Sequence, residues 1–557
     1  MHQKTKSRPR NWQSVWSATL IFVALKIAIF AAANAQAATF AGYFPLGRAE
    51  KTVPLADQKT PLPTTAECLP AELATAWAAY RDAWSAHHAD PADDAARLRL
   101  FGSTEDPLAV SASNGRALST MMRLPLRDSM RYESKHFVML SDASTERSTK
   151  TLRDIEKFYH VWTQLFFPVW SGNSSWDHTA IAHRRSPPSK HRLVLVSDAN
   201  RYRSLVGNEG FNASESTGFY SDSKRVTFLS DDPEHRETLF HELTHQLLGE
   251  AIPVSTRTRA GDRENFWLVE GIACYMESTH LLQQHASIGG WHASRLQYAR
   301  HSILSDGEEM RIESMQSEGR AAVQRRTDLA KWYGFAAAHT HAAIDANDGA
   351  GLVSVLHELG DVYQLRINPL AGCDQKNDLP KLRDYLTLTD EGIAPLTDDL
   401  LRQLCLTRTE VTTEGLNKIS PQTRLLWLDL SFLKISNDDV RRLCPSLKSL
   451  TQLSLESTGV DDSLAEWFKD AGQLRELDLS NTRAGDAILQ AIPPEAPVET
   501  LWLTGSQVSD ASIEHLLQFS TLRQIDIQST NVTQRGVEKM RAAFPGVKIN
   551  PLEVQTR

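Results

Sequence analysis

His241-Glu242-Leu243-Thr244-His245 sets two imidazoles four residues apart, with a glutamate beside the first. On a helix, positions i and i+4 share a face, so His241 and His245 can offer two ring nitrogens to one metal ion. Glu242, one residue on, is close enough to polarise a water on that ion. Leu239, Phe240, Leu247 and Leu248 give the flanks the apolar content of a packed helix. Chance produces roughly 0.04 such matches at this His and Glu content. A half-exposed helix with two unrelated histidines is the competing explanation, and an independent third ligand is needed to displace it.

Hydrolytic zinc usually takes three protein ligands and keeps one position for water. The next candidate segment is Phe266 to Glu277, in which Glu270 lies 25 residues past His245. A carboxylate between Val269 and Gly271 is costly to bury unless it is paired or bound to a cation. The alternative is a helix-start glutamate satisfied by free backbone N–H groups. A tetrahedral oxyanion also needs a donor beyond the metal, and Tyr275, Tyr333 and His339 are the candidates. Each is also readable as a core or helix-face residue.

The pair of segments carries a resemblance. His241-Glu242-x-x-His245 followed by Trp267-Leu268-Val269-Glu270-Gly271-Ile272-Ala273-x-Tyr275 resembles the gluzincin metallopeptidases, in particular the peptidase-MA-like group and a bacterial domain family of unknown function numbered 1570. The likeness covers about residues 130–365 and is specific at the two motifs. It implies an α+β zincin-like domain with one Zn2+ held by His241, His245 and Glu270, and Glu242 as general base. Many gluzincins carry an aspartate four residues after the glutamate ligand, to support a ligand histidine. Here Cys274 stands there and cannot supply a carboxylate. Glu277, seven residues after Glu270 and on about the same helix face, is the candidate substitute. Cys274 is readable as a small buried thiol or as a soft ligand.

The elements that must position these residues are partly legible. His136 to Leu140 reads as a strand, Thr149 to about Phe166 as an amphipathic helix, and His191–Val196 and Arg225–Leu229 as further strands. Gly218-Phe219-Tyr220 and a later helix opening at Tyr333-Gly334 fit the resemblance. The loop histidines His178 and His183 read as solvated residues. Downstream, Leu401-x-x-Leu404-x-Leu406 recurs from Leu425, Leu450, Leu474, Val498 and Leu522, every 24 or 25 residues. That is the leucine-rich-repeat range, and it predicts an α/β solenoid whose units bury their apolar faces only by stacking. The repeats resemble bacterial leucine-rich repeats. Thr409, Thr458, Thr482, Ser506 and Thr530 occupy the position where an asparagine often bonds the turning backbone.

The resulting division is a signal peptide over 1–37, a helical and irregular region over 38–130, a zincin-like metallopeptidase domain over 131–365, a linker or repeat cap over 366–400, and repeats over 401–550. Lys4, Lys6, Arg8 and Arg10 precede an apolar stretch and Ala35-Gln36-Ala37, the order of a secretory signal. An uncleaved membrane anchor is the alternative, against which Lys26 interrupts the run. The chain is thus expected to be exported. Its net charge of −8, without a Lys/Arg block after residue 10, gives nucleic-acid binding no electrostatic support. The five cysteines lack C-x-x-C spacing, and a Cys68–Cys373 bridge is conceivable only in an oxidising compartment. The composite expectation is an exported zinc metallopeptidase acting on a protein or peptide, with the repeats binding that partner or a protein or glycan ligand. The alternative is a catalytically inactive binding protein, or a zinc hydrolase of a non-peptide amide such as a cell-wall crosslink.

Overall fold

In the computed structural model the described residues are 43–46, 79–80, 82–87, 89–90, 92–101, 104–167, 190–207, 217–231, 236–251, 259–281, 286–345, 351–364 and 381–550. The signal segment, Cys68, Cys373, His178 and His183 lie outside them. The described residues form two compact units. The first runs up to Gly290 and resumes over Met310–Pro380; the second joins Trp291–Glu309 to the chain from Lys381 onward. No helix among the described residues is long and apolar enough to cross a membrane.

The first unit is built on a six-stranded mixed sheet: β1 (Ser111–Asn114), β2 (Met130–Glu133), β3 (Phe137–Ser141), β4 (His191–Val196), β5 (Gly218–Ser221) and β6 (Val226–Ser230), in the order β1-β2-β3-β4-β6-β5. β3, β4 and β6 are parallel neighbours, while β5 runs antiparallel to β6 at the edge. All five residues of β3 are buried, as expected of a central strand covered on both faces. Two short strands, β1 and β2, fall at or before residue 133, around the boundary drawn at residue 130. All four residues of β1 are exposed, so it carries no apolar alternation to reveal it.

Helix α1 (Thr145–Leu165) begins four residues before the apolar period suggests, because Ser144 caps it by accepting the Arg147 N–H at 3.2 Å. Helix α2 (Arg236–Ala251) packs beside α1, with Phe158 and Phe240 stacked at 4.4 Å between ring centroids. Its register on the sheet is fixed by polar bonds. Gln246, completely buried, accepts from Thr227 Oγ1 at 2.8 Å and donates to the Arg192 carbonyl at 3.2 Å. Helix α3 (Phe266–Glu277) is buried along its entire length, as a helix apolar all round should be.

The second unit carries α4 (Ser294–Leu304) and seven three-residue strands, β7 (Gln403–Cys405), β8 (Trp427–Asp429), β9 (Gln452–Ser454), β10 (Glu476–Asp478), β11 (Thr500–Trp502), β12 (Gln524–Asp526) and β13 (Lys548–Asn550). They pair in parallel and in chain order. The repeating leucines form one apolar core from Leu401 to Ile549. Thr409, Thr458, Thr482 and Thr530 each donate to the carbonyl three residues back, at 2.6–2.7 Å. Aspartates tie four of the turns to the next: Asp390 accepts from Thr412 N, Asp462 from Gly485 N, Asp486 from Ser509 N and Asp510 from Thr533 N. Helix α4, within the span read from sequence as the central domain, closes the open edge of β7. Gln297 accepts the Cys405 N–H and Arg300 donates to the Cys405 carbonyl, both at 2.9 Å.

Candidate metal centre

Helices α2 and α3, with α5 (Leu329–Asp345) against α3, hold the site residues. The close packing of α3 on α5 depends on Gly271. A Cβ there would lie 2.1 Å from Thr340 Oγ1 and 2.8 Å from the Ala336 carbonyl oxygen. β5 approaches α2 just as closely, since a Cβ on Gly218 would lie 2.9 Å from Glu242 Cγ.

These contacts bring three donor atoms together. His241 Nε2 lies 3.1 Å from His245 Nε2 and 3.2 Å from Glu270 Oε2, and His245 Nε2 lies 3.4 Å from the same oxygen. A tetrahedral ion with bonds of 2.0–2.1 Å separates its ligands by about 3.4 Å. The triangle therefore matches one face of such a site. Two imidazoles and a carboxylate suit Zn2+ and its late first-row neighbours. Glu270 sits in the second turn of α3, past the free N–H groups of the helix start, and its carboxylate faces the imidazoles instead.

Burial opposes charge on Glu270, yet His245 and His241 hold its carboxyl well below the usual range. Burial likewise opposes charge on His241, but Cys274, Glu270 and Glu277 together raise it well above an ordinary imidazole. A cation is thus favoured at this point, and protons and a metal ion compete for the same nitrogens.

Glu277 accepts at the far side of His241, with Oε1 2.8 Å from Nδ1. That bond fixes the ring and leaves Nε2 facing Glu270 and His245. Cys274 is buried beside the same ring, its sulfur within 4.8 Å of the His241 and Glu277 donor atoms. Glu242 points to the sheet edge, where Oε2 accepts the backbone N–H of Tyr220 at 2.8 Å. Sequence reasoning missed this amide; the small residue Gly218 two positions earlier is the signal that the strand passes close.

The three oxyanion candidates separate. Tyr333, half-buried on α5, has its ring 6.4 Å from that of His241. Tyr275 is completely buried and packs edge-on against His341 at 4.7 Å. His339 is buried with Nε2 2.9 Å from the Met310 carbonyl oxygen. The chain matches no protein-family model and no curated protein.

Proposed function

We propose that this protein is an exported zinc-dependent peptidase of gluzincin type, with a zincin-like catalytic domain and leucine-rich repeats that select or tether its substrate. The observation that carries the reading is the convergence of His241 Nε2, His245 Nε2 and Glu270 Oε2 within 3.4 Å of one another, with Glu242 next in chain to the first ligand. Those three residues would hold Zn2+, which when bound polarises a carbonyl and acidifies water. Glu242, oriented by the Tyr220 amide, takes a proton from the attacking water and delivers one to the leaving amine. Tyr333, whose ring lies 6.4 Å from that of His241, donates to the oxyanion. Glu277 keeps His241 in the ligand tautomer. An extended peptide laid along edge strand β5 would present its carbonyls beside Glu242, a mode of recognition that favours peptides over other amides.

The test is zinc analysis together with peptide-library hydrolysis by wild type and Glu242→Gln. Wild type should hold zinc at the His241 site and cleave. Glu242→Gln should hold it equally and lose activity by roughly 10²–10⁴-fold, the range of a general base. A wild type without zinc at this site sinks the proposal. Bound zinc without cleavage of any peptide would move the reaction to another amide.

A further inference from the structure

A second group of ligand-type side chains lies elsewhere in the first unit. Glu156 and His160 are four residues apart on α1 and share a face, as His241 and His245 do on α2. His136, immediately before β3, completes the group, and the three donor atoms lie within 4.8 Å of one another. His136 meets Glu156 twice. Its backbone N–H donates to Oε1 at 2.7 Å, and its ring Nδ1 lies 2.8 Å from Oε2. Glu156 is completely buried and His160 is 3% exposed.

His160 is the residue that hydrogen bonding does not explain. Neither of its ring nitrogens makes a hydrogen bond among the described residues. Its ring lies 5.3 Å from that of Trp84 and 5.1 Å from that of Phe101. A buried polar atom left unmet costs about 1–3 kcal/mol, a cost that a leucine or phenylalanine in this place would avoid. Lys135 does not account for the group either. Its ammonium lies over the Phe101 ring, 5.4 Å from the centroid, and makes no hydrogen bond to Glu156.

We propose that His136, Glu156 and His160 hold a second divalent metal ion, Zn2+ or a late first-row neighbour, in a buried three-ligand site. The donor set, two imidazoles and a carboxylate, is the one found at His241, His245 and Glu270. On binding, the ion displaces the hydrogen bond between the His136 ring and Glu156, and His136 ligates as a neutral imidazole that keeps one proton on its other ring nitrogen. The lone pair on His160 finds a partner. The ion clamps the middle of α1 to the entry of β3, two elements on which the sheet and α2 are stacked.

Full-length protein stripped by chelator, reloaded with Zn2+ and passed through gel filtration decides the matter by its zinc count. Wild type should retain two equivalents, His160→Gln one, His245→Ala one, and the double variant none. Zinc added to His245→Ala should also raise its Tm, a gain absent from the double variant. A wild type with one equivalent that His245→Ala loses overturns the second site and leaves the first intact. One equivalent lost in His160→Gln instead supports the second site and overturns the first; none overturns both. Should His160→Gln fail to fold, Glu156→Gln replaces it, and a wild-type count of two with one left in His245→Ala still supports the site.

Discussion

Glu277 is where the chemistry of single residues is most exposed to test. Its Oε1 accepts a hydrogen bond from His241 Nδ1–H at 2.8 Å, so its charge sets both the orientation and the basicity of a ligand ring. Glutamine in its place keeps a carbonyl acceptor and removes the charge. Glu277→Gln should therefore weaken zinc binding roughly 10–100-fold, with kcat at saturating zinc changed little. Isothermal titration beside a zinc-saturated peptide assay separates the two effects. Equal zinc affinity in the variant and wild type would reduce Glu277 to a space-filling role. The sequence carried His241, Glu242 and His245 as local helix spacing, and Glu270 as a charge in an apolar run. It left Cys274 and Glu277 undecided, because positions four and seven after Glu270 share a face and only the tertiary approach of α2 selects between them. Tyr333, Tyr275 and His339 are undecidable for the same reason, since their distances to His241 depend on how α3 and α5 pack against α2.

At the scale of elements, the site depends on helices held closer than ordinary side chains permit. Gly271 faces Thr340 Oγ1 and the Ala336 carbonyl on α5. An added methyl must push α3, and Glu270 with it, away from its neighbour. Gly271→Ala should destabilise the protein by about 1–3 kcal/mol, the usual cost of overpacking, and weaken zinc binding in the same step. Adding Thr340→Ser should not restore either property, because the hydroxyl remains and the Ala336 oxygen belongs to the backbone. A Gly271→Ala variant with wild-type Tm and zinc content would refute this account. The apolar period located β3, α1, β4 and β6 to within a few residues, because each buries a continuous or one-sided apolar run. It missed β1, whose Ser-Ala-Ser-Asn sequence has no apolar face, and the start of α1, which a serine cap determines rather than packing.

The whole molecule is not divided where the sequence motifs divide. The chain leaves the first unit at Gly290, supplies α4 to the second, returns at Met310 and crosses again at Lys381. The bonds that place α4 with the repeats join residues more than 100 positions apart, such as Arg300 with Cys405 and His301 with Asp429, which no local pattern announces. A truncation after about residue 395 would thus strip α4 of buried partners. The same groups give the second unit a distinctive pH response. Burial drives the Glu476 carboxyl up to about 7. Burial opposes charge on His301, but Asp429 at 2.9 Å, with Asp306 and Glu476, raises it. Both raised groups favour the protonated fold, so their contributions are complete at low pH. They are lost as pH rises, from about 4.5 to 7 for Glu476 and through the raised value for His301. Asp390 and Asp486 act oppositely. Burial raises them, but hydrogen bonds from Thr412 and Gly415, and from Ser509 and Ser512, hold them below the usual range, so their contribution is lost as pH falls. The second unit should accordingly be most stable near pH 4–5, with a urea midpoint lower at pH 8 than at pH 5. Glu476→Gln removes that carboxyl's rising-pH loss, at most about 3 kcal/mol, and should flatten that limb while leaving the acid limb in place. An unchanged slope between pH 5 and pH 8 in Glu476→Gln would show that the buried carboxyl is not its source.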